Sequence, residues 1–412
     1  MHSASNVEVR DLDFPKDMDA IKRIWREIGW ADNDQVEKGM DICYPVGHTS
    51  VATIAGEVEC AVETIPGVMR LQQTDLPLCV VAAVTTSRVA RGLSLAQTLT
   101  ARELALAAER GEVVAALGMF DQGFYNKVGF GTGAYHNEFA FDPATLMLKQ
   151  KPGTPRRMKL EDFAEMHRVM MSRPLNHGGV AIGSPEFFHA GLAMSEDAFG
   201  LGFDTNGKLS HFIWVTTKEA HGPYRVEWLG YENGEQLIEL LALLKSLSDQ
   251  LYSVKMMEPP EIQLQSLLQR PFRTQAINEE GKHAAAQETY AWYQLRVLDV
   301  SACVAAVQWL GEPLRFQLCL EDPLQALLQS HQGWQGVQGS YVVELGQTSS
   351  AAPGEESNLP VLNCSVNALS RLLWGVSPAT SLRLTDDFHG ESQLLESLDH
   401  VFVHRPHPFW DF

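Results

Sequence analysis

The sequence predicts an α/β (α+β) protein of three consecutive modules, and three observations predict it. The chain has 412 residues, beyond the roughly 250–300 at which a single core stops growing. Apolar runs of strand character alternate with amphipathic stretches of helical period along its whole length. Two polar stretches, "KQKPGTPRRMK" and "INEEGKHAAAQET", have the composition of linkers and divide the chain into residues 1–150, 151–288 and 289–412.

In the first module "VEVR" reads as a short strand. Pro15 and Asp17 open a helix through Ile28, with Ile21, Ile24, Trp25 and Ile28 on one face. "TSVATIAGEVECAVETI" reads as a hairpin across Gly56, and "LCVVAAVTT" as a buried strand. "GLSLAQTLTARELALAAERGE" is an Ala/Leu-rich helix that stops at Gly111. "VVAALGMF" is a second buried strand, "QGFYNKVGF" a short helix ended by Gly129, and "YHNEFAF" alternates and is expected to close this sheet.

The second module shows a hairpin on the Asn-Gly pair of "FDTNGKLSHFIWV". The strand "YRVEWLGYE", the helix "GEQLIELLALLKSLSDQ", the strand "LYSVKMME" and a helix from "EIQLQSLLQRPF" follow. This order loosely repeats the first module. In the third, "RVLDVSACVAAVQWL" is expected to be helical from its start, and "PLRFQLCLED" and "GSYVVELG" are strands. "TSSAAPGEESN" has the composition of a mobile loop, and "VNALSRLLWG" and "GESQLLESLDHVF" are helices.

Composition excludes several function classes. A net charge of −19 lacks the basic footprint of a nucleic-acid binder. No apolar run reaches the roughly 18–20 residues of a membrane span, and no signal peptide is read. The six cysteines show no C-x-x-C spacing, which points to buried thiols in a reducing, cytoplasmic setting. The 14 histidines contain no H-E-x-x-H pair, so no metal is expected.

Chemistry is read most strongly between Leu78 and Phe130. A buried strand ends at "AAVTT", the turn "SRVARGLS" follows, and an Ala-rich helix begins. A helix start offers free amides and a positive dipole end to an anion. Gly92 permits close backbone approach, and Arg88 and Arg91 can contribute charge. One strand later comes "FYNKVGF", with Tyr125 in a segment punctuated by Gly123, Gly129, Gly131 and Gly133.

A phosphate-type turn, a strand, then F-Y-x-x-x-G-F is the order of the GNAT N-acyltransferase superfamily. The stretch from "AAVTTSRVARGLSLAQTL" to "GFYNKVGFGTGAYHNEF" resembles its Eis-like (enhanced intracellular survival) branch. "YAWYQLRVLDVSACVAAVQWL" and the terminal "PFWDF" are similar to the same branch. The resemblance implies two tandem GNAT-like domains, the second degenerate, then a sterol-carrier-like domain, in a homohexamer. It also implies acetyl-CoA as co-substrate, paired with the backbone at Ala82, Ala83 and Val84. Its pyrophosphate would lie on Ala90, Arg91, Gly92, Leu93, Ser94 and Leu95, with Phe120 and Asp121 also at the cofactor. Tyr125 would match the general acid and the carboxylate of Phe412 the general base. The turn departs from the superfamily pattern [QR]-x-x-G-x-[GA], with Val89 at the first position and Ser94 at the last.

The reaction so implied is acetyl transfer to a primary amine, a polyamine or aminoglycoside-like cation. An alkylamine of pKa ~10 must lose a proton to attack a thioester, and a phenol can protonate the departing thiolate. Asp411, His404 and His407 are rivals to Phe412 for the base. Asp32, Asp34, Glu37 and Asp41 in "GWADNDQVEKGMD" form a candidate acidic wall. "GYENGEQ" holds the corresponding turn position of the second module but carries Glu232 and Glu235, which would repel a pyrophosphate. Trp309, Trp334 and Trp374 are candidates for an apolar pocket. The alternative is a non-catalytic protein that binds acyl-CoA or an apolar ligand through its third module.

Overall fold

The computed structural model describes residues 7–269 and 283–407. β1 (Val7–Asp11) leads to α1 (Met18–Ile28), which buries Met18, Ile21 and Ile24 and stops at Gly29, φ +80°. α2 (Asp34–Cys43) starts at Asn33, whose side chain accepts the Gln35 and Val36 amides. β2 (His48–Ile54) and β3 (Glu57–Leu71) join through Ala55 and Gly56 at φ +53° and +89°, the hairpin geometry expected. β4 (Thr74–Thr86), α3 (Leu95–Arg110), β5 (Val114–Gly118), α4 (Gln122–Asn126), β6 (Gly131–Thr132) and β7 (His136–Phe141) follow.

The middle of the chain supplies β8 (Arg156–Met158), α5 (Phe163–Met171), β9 (Val180–Ile182), α6 (Pro185–Met194), β10 (Ala198–Thr205), β11 (Lys208–Thr217), β12 (Tyr224–Gly230), α7 (Gly234–Ser246), β13 (Val254–Met257) and β14 (Ala286–Tyr290). Then come β15 (Tyr293–Val297), α8 (Val300–Ala305), β16 (Leu314–Glu321), α9 (Leu324–Leu327), β17 (Gly339–Leu345), β18 (Ser350–Pro353), β19 (Val361–Ser365), α10 (Val366–Leu373), α11 (Ala379–Thr385), β20 (Phe388–Gly390) and α12 (Ser392–Val401).

The chain divides into two compact units. One holds the described residues up to Ala134, Asn176–Val180, and the described residues from Ala291 onward. Its first sheet runs β1-β2-β3-β4-β5-β15-β6, and a five-stranded sheet runs β18-β17-β16-β19-β20. The main core of this unit gathers Val62, Val81, Leu99, Leu104, Leu117 and Phe130 between α3 and the first sheet. The second unit holds Tyr135–Leu175 and the described part of Ala181–Tyr290. Its seven strands run β14-β7-β13-β12-β11-β10-β8, with α7 packed on one core through Leu237, Leu240, Leu241 and Leu244.

Four local expectations meet a different outcome. His136–Phe141 does not close the first sheet; it pairs with β13 and β14 in the second unit. Alternation specifies a half-buried strand but not its partner. The expected helix does not begin at Arg296: Arg296 and Val297 end the fully buried strand Tyr293–Val297 between β5 and β6, and the helix waits for the Asp299 cap. Continuous burial on both faces removes the period that would have marked a strand. Within the expected mobile loop, Ser350–Pro353 pairs with β17. "EIQLQSLLQRPF" forms only a short 3-10 turn, Leu264–Leu267, in its described part.

Candidate active site

β4 and β5 separate at the position the sequence singles out. They pair in parallel only at Leu78–Val114, Cys79–Ala115 and Val80–Ala116. β4 then runs on to Thr86, while β5 stays bonded to β15 along Val114–Gly118. The β5-facing edge of β4 therefore loses its partner beyond Val80. Between the pairs Ala61–Thr85 and Glu63–Ala82 the register slips by one residue, a bulge on β4. Ala83 lies in that bulge with φ +47°, a left-handed conformation rare for a residue with a Cβ. Ala82 and Ala83 are half-buried and Val84 is buried. Unpaired backbone groups on a bulged edge are an acceptor for another extended chain.

The turn after β4 continues this geometry. A 3-10 turn covers Arg88–Ala90, with Ala90 buried. Arg91 is extended, and Gly92 at φ +82° and Ser94 at φ +58° are left-handed before α3 begins at Leu95. The Ala90 and Leu93 amides are bonded within the turn, to the Ser87 and Ala90 carbonyls, and the first turn of α3 offers amides of its own to an anion. A Cβ placed on Gly92 would meet nothing within 4 Å, so the space in front of it is open. Arg91 and Leu93 are exposed. Arg88 does something else: its guanidinium donates to the Glu27 carbonyl (2.9 Å) and its amide to the Glu27 carboxylate (3.0 Å). It ties the turn to the end of α1. These contacts hold the Glu27 carboxyl below its usual range, the Arg88 amide contributing most.

Tyr125 sits on the single turn of α4, which the Asp121 side chain caps by accepting the Phe124 amide at 3.2 Å. It is 2% exposed and shares one apolar cluster with Val81, Val84, Ala90, Leu95 and Leu117. That cluster brings the edge, the turn and the tyrosine together. Burial, and secondarily the charge of Asp121, push the phenol well above its ordinary range. The group is a protonated donor at neutral pH. Phe120, Phe124 and Phe130 meet its ring edge-on at 5.7, 4.9 and 6.2 Å between centroids. Phe120 is 68% exposed, an aromatic held at a surface beside a buried tyrosine.

Trp30 extends this row and was missed in the sequence. Its ring lies 6.4 Å from Phe120 and 5.4 Å from Trp25, and it is exposed. The available signal was an aromatic directly after the Gly29 helix stop. The acidic wall beside it is largely paired: Asp41 meets Lys22 at 2.6 Å and Glu37 meets Arg26 at 2.5 Å, while Asp32 accepts from Asn33. These acids brace α2 on α1.

Phe412 and Asp411 lie outside the described residues. The tail up to His407 is tied down. The His407 amide donates to the His177 carbonyl at 2.9 Å, and Arg405 donates to the Gly375 carbonyl at 2.7 Å. The His177 ring accepts the Gln72 amide at Nδ1 and meets the Trp374 carbonyl at 3.1 Å through Nε2. Burial, foremost, pushes its pKa down to about 4. Trp374 is fully buried, Trp334 packs against the core of the first unit, and Trp309 stays near the surface and donates to the Glu312 carbonyl.

The turn after β12 differs. Asn233 caps α7 by accepting the Gln236 amide, and the Gln236 side chain accepts the Glu232 amide at 2.6 Å. Its own side chains thus take up two of its amides, those of Glu232 and Gln236. Among the described residues, no group of three or more His, Cys, Asp or Glu is arranged to hold a metal ion, and no helix is long and apolar enough to cross a membrane.

A splayed, bulged strand edge, a left-handed turn and a buried tyrosine on the following short helix define a class. Residues 8–133 match the family model for the acetyltransferase (GNAT) domain. This part of the chain is a GNAT acetyltransferase domain, and the protein is an enzyme of the N-acyltransferase class. No curated protein matches the chain by sequence. Among solved structures, Eis1 from Mycobacterium abscessus shares its fold at TM-score 0.72 and 16% identity, over 98% of this chain and 99% of that one. A GCN5-related N-acetyltransferase from Anabaena variabilis does so at TM-score 0.78 and 16% identity, with the same coverage. A protein of Enterococcus faecalis described as a probable N-acyltransferase does so at TM-score 0.78 and 15% identity, again over 98% and 99%. The whole chain thus shares the fold of these proteins, and residues 8–133 carry its acetyltransferase (GNAT) domain.

Proposed function

We propose that the protein transfers the acetyl group of acetyl-CoA to the nitrogen of a primary amine, a polyamine or aminoglycoside-like cation. The observation that carries this reading is the loss of pairing on β4 beyond Val80, next to the left-handed Ala83. That edge would hold the pantetheine arm along Ala82, Ala83 and Val84. Ala90 to Leu95 would cradle the pyrophosphate, which the open space at Gly92 accommodates. Phe120 and Asp121 would flank the thioester end.

The amine must be neutral to attack, and the carboxylate of Phe412 accepts its proton, directly or through water. A C–N bond forms, the C–S bond breaks, and the sulfur takes the phenolic proton of Tyr125. The raised pKa of Tyr125 keeps that proton in place at neutral pH. The exposed rings of Trp30 and Phe120 offer faces to a cationic acceptor. We extend the proposal to three domains at 1–150, 151–288 and 289–412, the second a degenerate GNAT-like copy without CoA and the third sterol-carrier-like, assembled as a cytoplasmic homohexamer.

The test is release of free CoA thiol from acetyl-CoA with a panel of polyamines and aminoglycosides, run on wild type, Tyr125→Phe and a chain extended beyond Phe412. Turnover that both changes lower supports the assignment; full turnover in both removes it. Calorimetry that detects no acetyl-CoA binding at high concentration removes the enzyme mechanism altogether.

A further inference from the structure

The glycines around Tyr125 raise a question that their own turn does not answer. Gly129 is left-handed, φ +87°, and ends the turn of α4. A Cβ there would also fall 1.5 Å from Arg296 Nη1 and 2.9 Å from Val366. A Cβ on Gly131 would fall 2.4 Å from the Asn367 carbonyl oxygen and 2.8 Å from Arg371. A Cβ on Gly133 would overlap the ring of Tyr293. Each glycine gives way to a residue from the last third of the chain, carried on β15 or α10.

Those residues also grip the segment by hydrogen bonds. Arg296 Nη1 donates to the Val128 carbonyl at 2.8 Å. Asn367 Nδ2 donates to two carbonyls, Asn126 at 3.0 Å and Phe130 at 2.8 Å. The side-chain amides of Asn126 and Gln294 meet at 2.6 Å. The gripped carbonyls bracket Tyr125 on the side of its own turn, where the Val128 and Phe130 amides bond back to the Tyr125 carbonyl.

Arg296 is an expensive way to hold one carbonyl. It is fully buried, and so is its partner Asp322 at 2.5 Å. Replacing such a pair by apolar groups is often neutral or better for stability. Asp322 is fixed in turn, accepting the Leu324 amide at 2.9 Å and the Val337 amide at 2.8 Å. The guanidinium is thus locked in one place, and its free donor reaches the α4 turn. A fixed donor sets a position where apolar packing alone sets only a volume.

We infer that Arg296, locked by Asp322 and assisted by Asn367, is a positioning residue that fixes the turn bearing Tyr125, so that the third module serves the acetyl-transfer site as a clamp. This rests on the reading of Tyr125 as the general acid. A misplacement on the order of 1 Å at a reacting group costs up to about 10²-fold in rate, so a clamp of this kind acts on kcat and leaves the acetyl-CoA cradle alone.

The experiment uses the full-length chain with Arg296→Met and, separately, Asn367→Ala. Each is also prepared with 3-fluorotyrosine at position 125, a probe that reports the ring without needing turnover. The expected result is a fall in kcat of about 10-fold or more, KM for acetyl-CoA within about 2-fold, and a shifted or broadened fluorine line. Folded variants with wild-type kcat and an unmoved line overturn the clamp. If Arg296→Met does not fold, Asn367→Ala decides alone, since its side chain lies nearer the surface. Tyr125→Phe separates the two readings. Undiminished kcat in that variant removes the acid assignment while the fluorine line still tests the clamp. A large loss there with silent clamp variants removes the clamp and leaves the acid.

Discussion

The first sheet and the second carry the same strand–turn–helix–strand device, decorated in opposite ways. In each, two parallel strands pair briefly and then part: three residue pairs between β4 and β5, two between β12 and β13. In each, the strand before the turn carries a bulge, at Ala83 in β4 and at Glu227 in β12. The first bulge has a left-handed alanine and the first turn has left-handed Gly92 and Ser94. The second bulge carries Glu227, bonded to Thr216, and the second turn is closed by Asn233 and Gln236. What differs is what engages the turn's amides: Glu27 and the Ser87 and Ala90 carbonyls take those of Arg88, Ala90 and Leu93 in the first, and the side chains of Asn233 and Gln236 take those of Gln236 and Glu232 in the second. The same strand–turn–helix–strand order thus occurs twice, with a left-handed turn in one place and a side-chain-capped turn in the other.

The largest effect that sharpens this comparison belongs to Tyr125, which has no counterpart after β13 among the described residues. Removing a general acid costs about 10²–10⁴-fold. Tyr125→Phe is expected to lower kcat within that range and to leave KM for acetyl-CoA within a few-fold, checked by steady-state thiol release. The loss should appear across the neutral range, because the raised phenol keeps its proton well above pH 7.

A second contrast lies beneath the bulges. Glu63 stands opposite Ala82, fully buried, with one carboxylate oxygen lacking a partner. Burial, then repulsion from Glu103, raises its pKa to about 8. The matching places beside the β12 bulge hold Trp214 and Val215. A carboxyl raised on folding favours the folded state in its neutral form. Stability is therefore full below the unfolded value near 4.5 and declines as pH rises toward 8. Glu63→Gln should raise stability by about 2–3 kcal/mol at pH 7 and flatten that decline, read from urea unfolding at pH 5 and pH 8. Equal gains at both pH values would show that the carboxyl is not held neutral.

The first device was legible in the sequence because its parts are local. A glycine three residues before a helix of small and aliphatic residues, and a tyrosine four residues before a glycine, can be read without knowing partners. In the second module's turn the sequence showed the charges of Glu232 and Glu235, while the capping by Asn233 and Gln236 was not read. What escaped was every feature that depends on a distant partner. β7 left one sheet for another, β15 entered the first sheet from residue 293, and Arg88 turned to Glu27 instead of outward. Arg296 and Asp322 are 26 residues apart in the chain, and each reads alone as an ordinary surface charge. The glycines beside Tyr125 were read as turn punctuation. Two of the three following it, Gly131 and Gly133, have no left-handed φ, and their size is set by α10 and β15.

Smaller effects test the two turns against each other. Gly92→Ala places a Cβ on a residue at φ +82° at the concavity, costing about 1–2 kcal/mol in conformation. It should weaken acetyl-CoA binding by up to about 10-fold by calorimetry, with kcat little changed at saturation. Gly234→Ala is the matched control and the smallest effect. Gly234 opens α7, is not left-handed, and a Cβ there would meet nothing within 4 Å. Alanine in such a helix stabilises by about 0.5–1 kcal/mol through the unfolded chain. The expected outcome is a slightly higher Tm, unchanged acetyl-CoA affinity, and a binding stoichiometry that stays at one per chain. A second equivalent of acetyl-CoA in wild type, lost or weakened in Gly234→Ala, would mean that the turn after β12 still presents amides to a phosphate despite Asn233 and Gln236, and the contrast between the two devices would collapse.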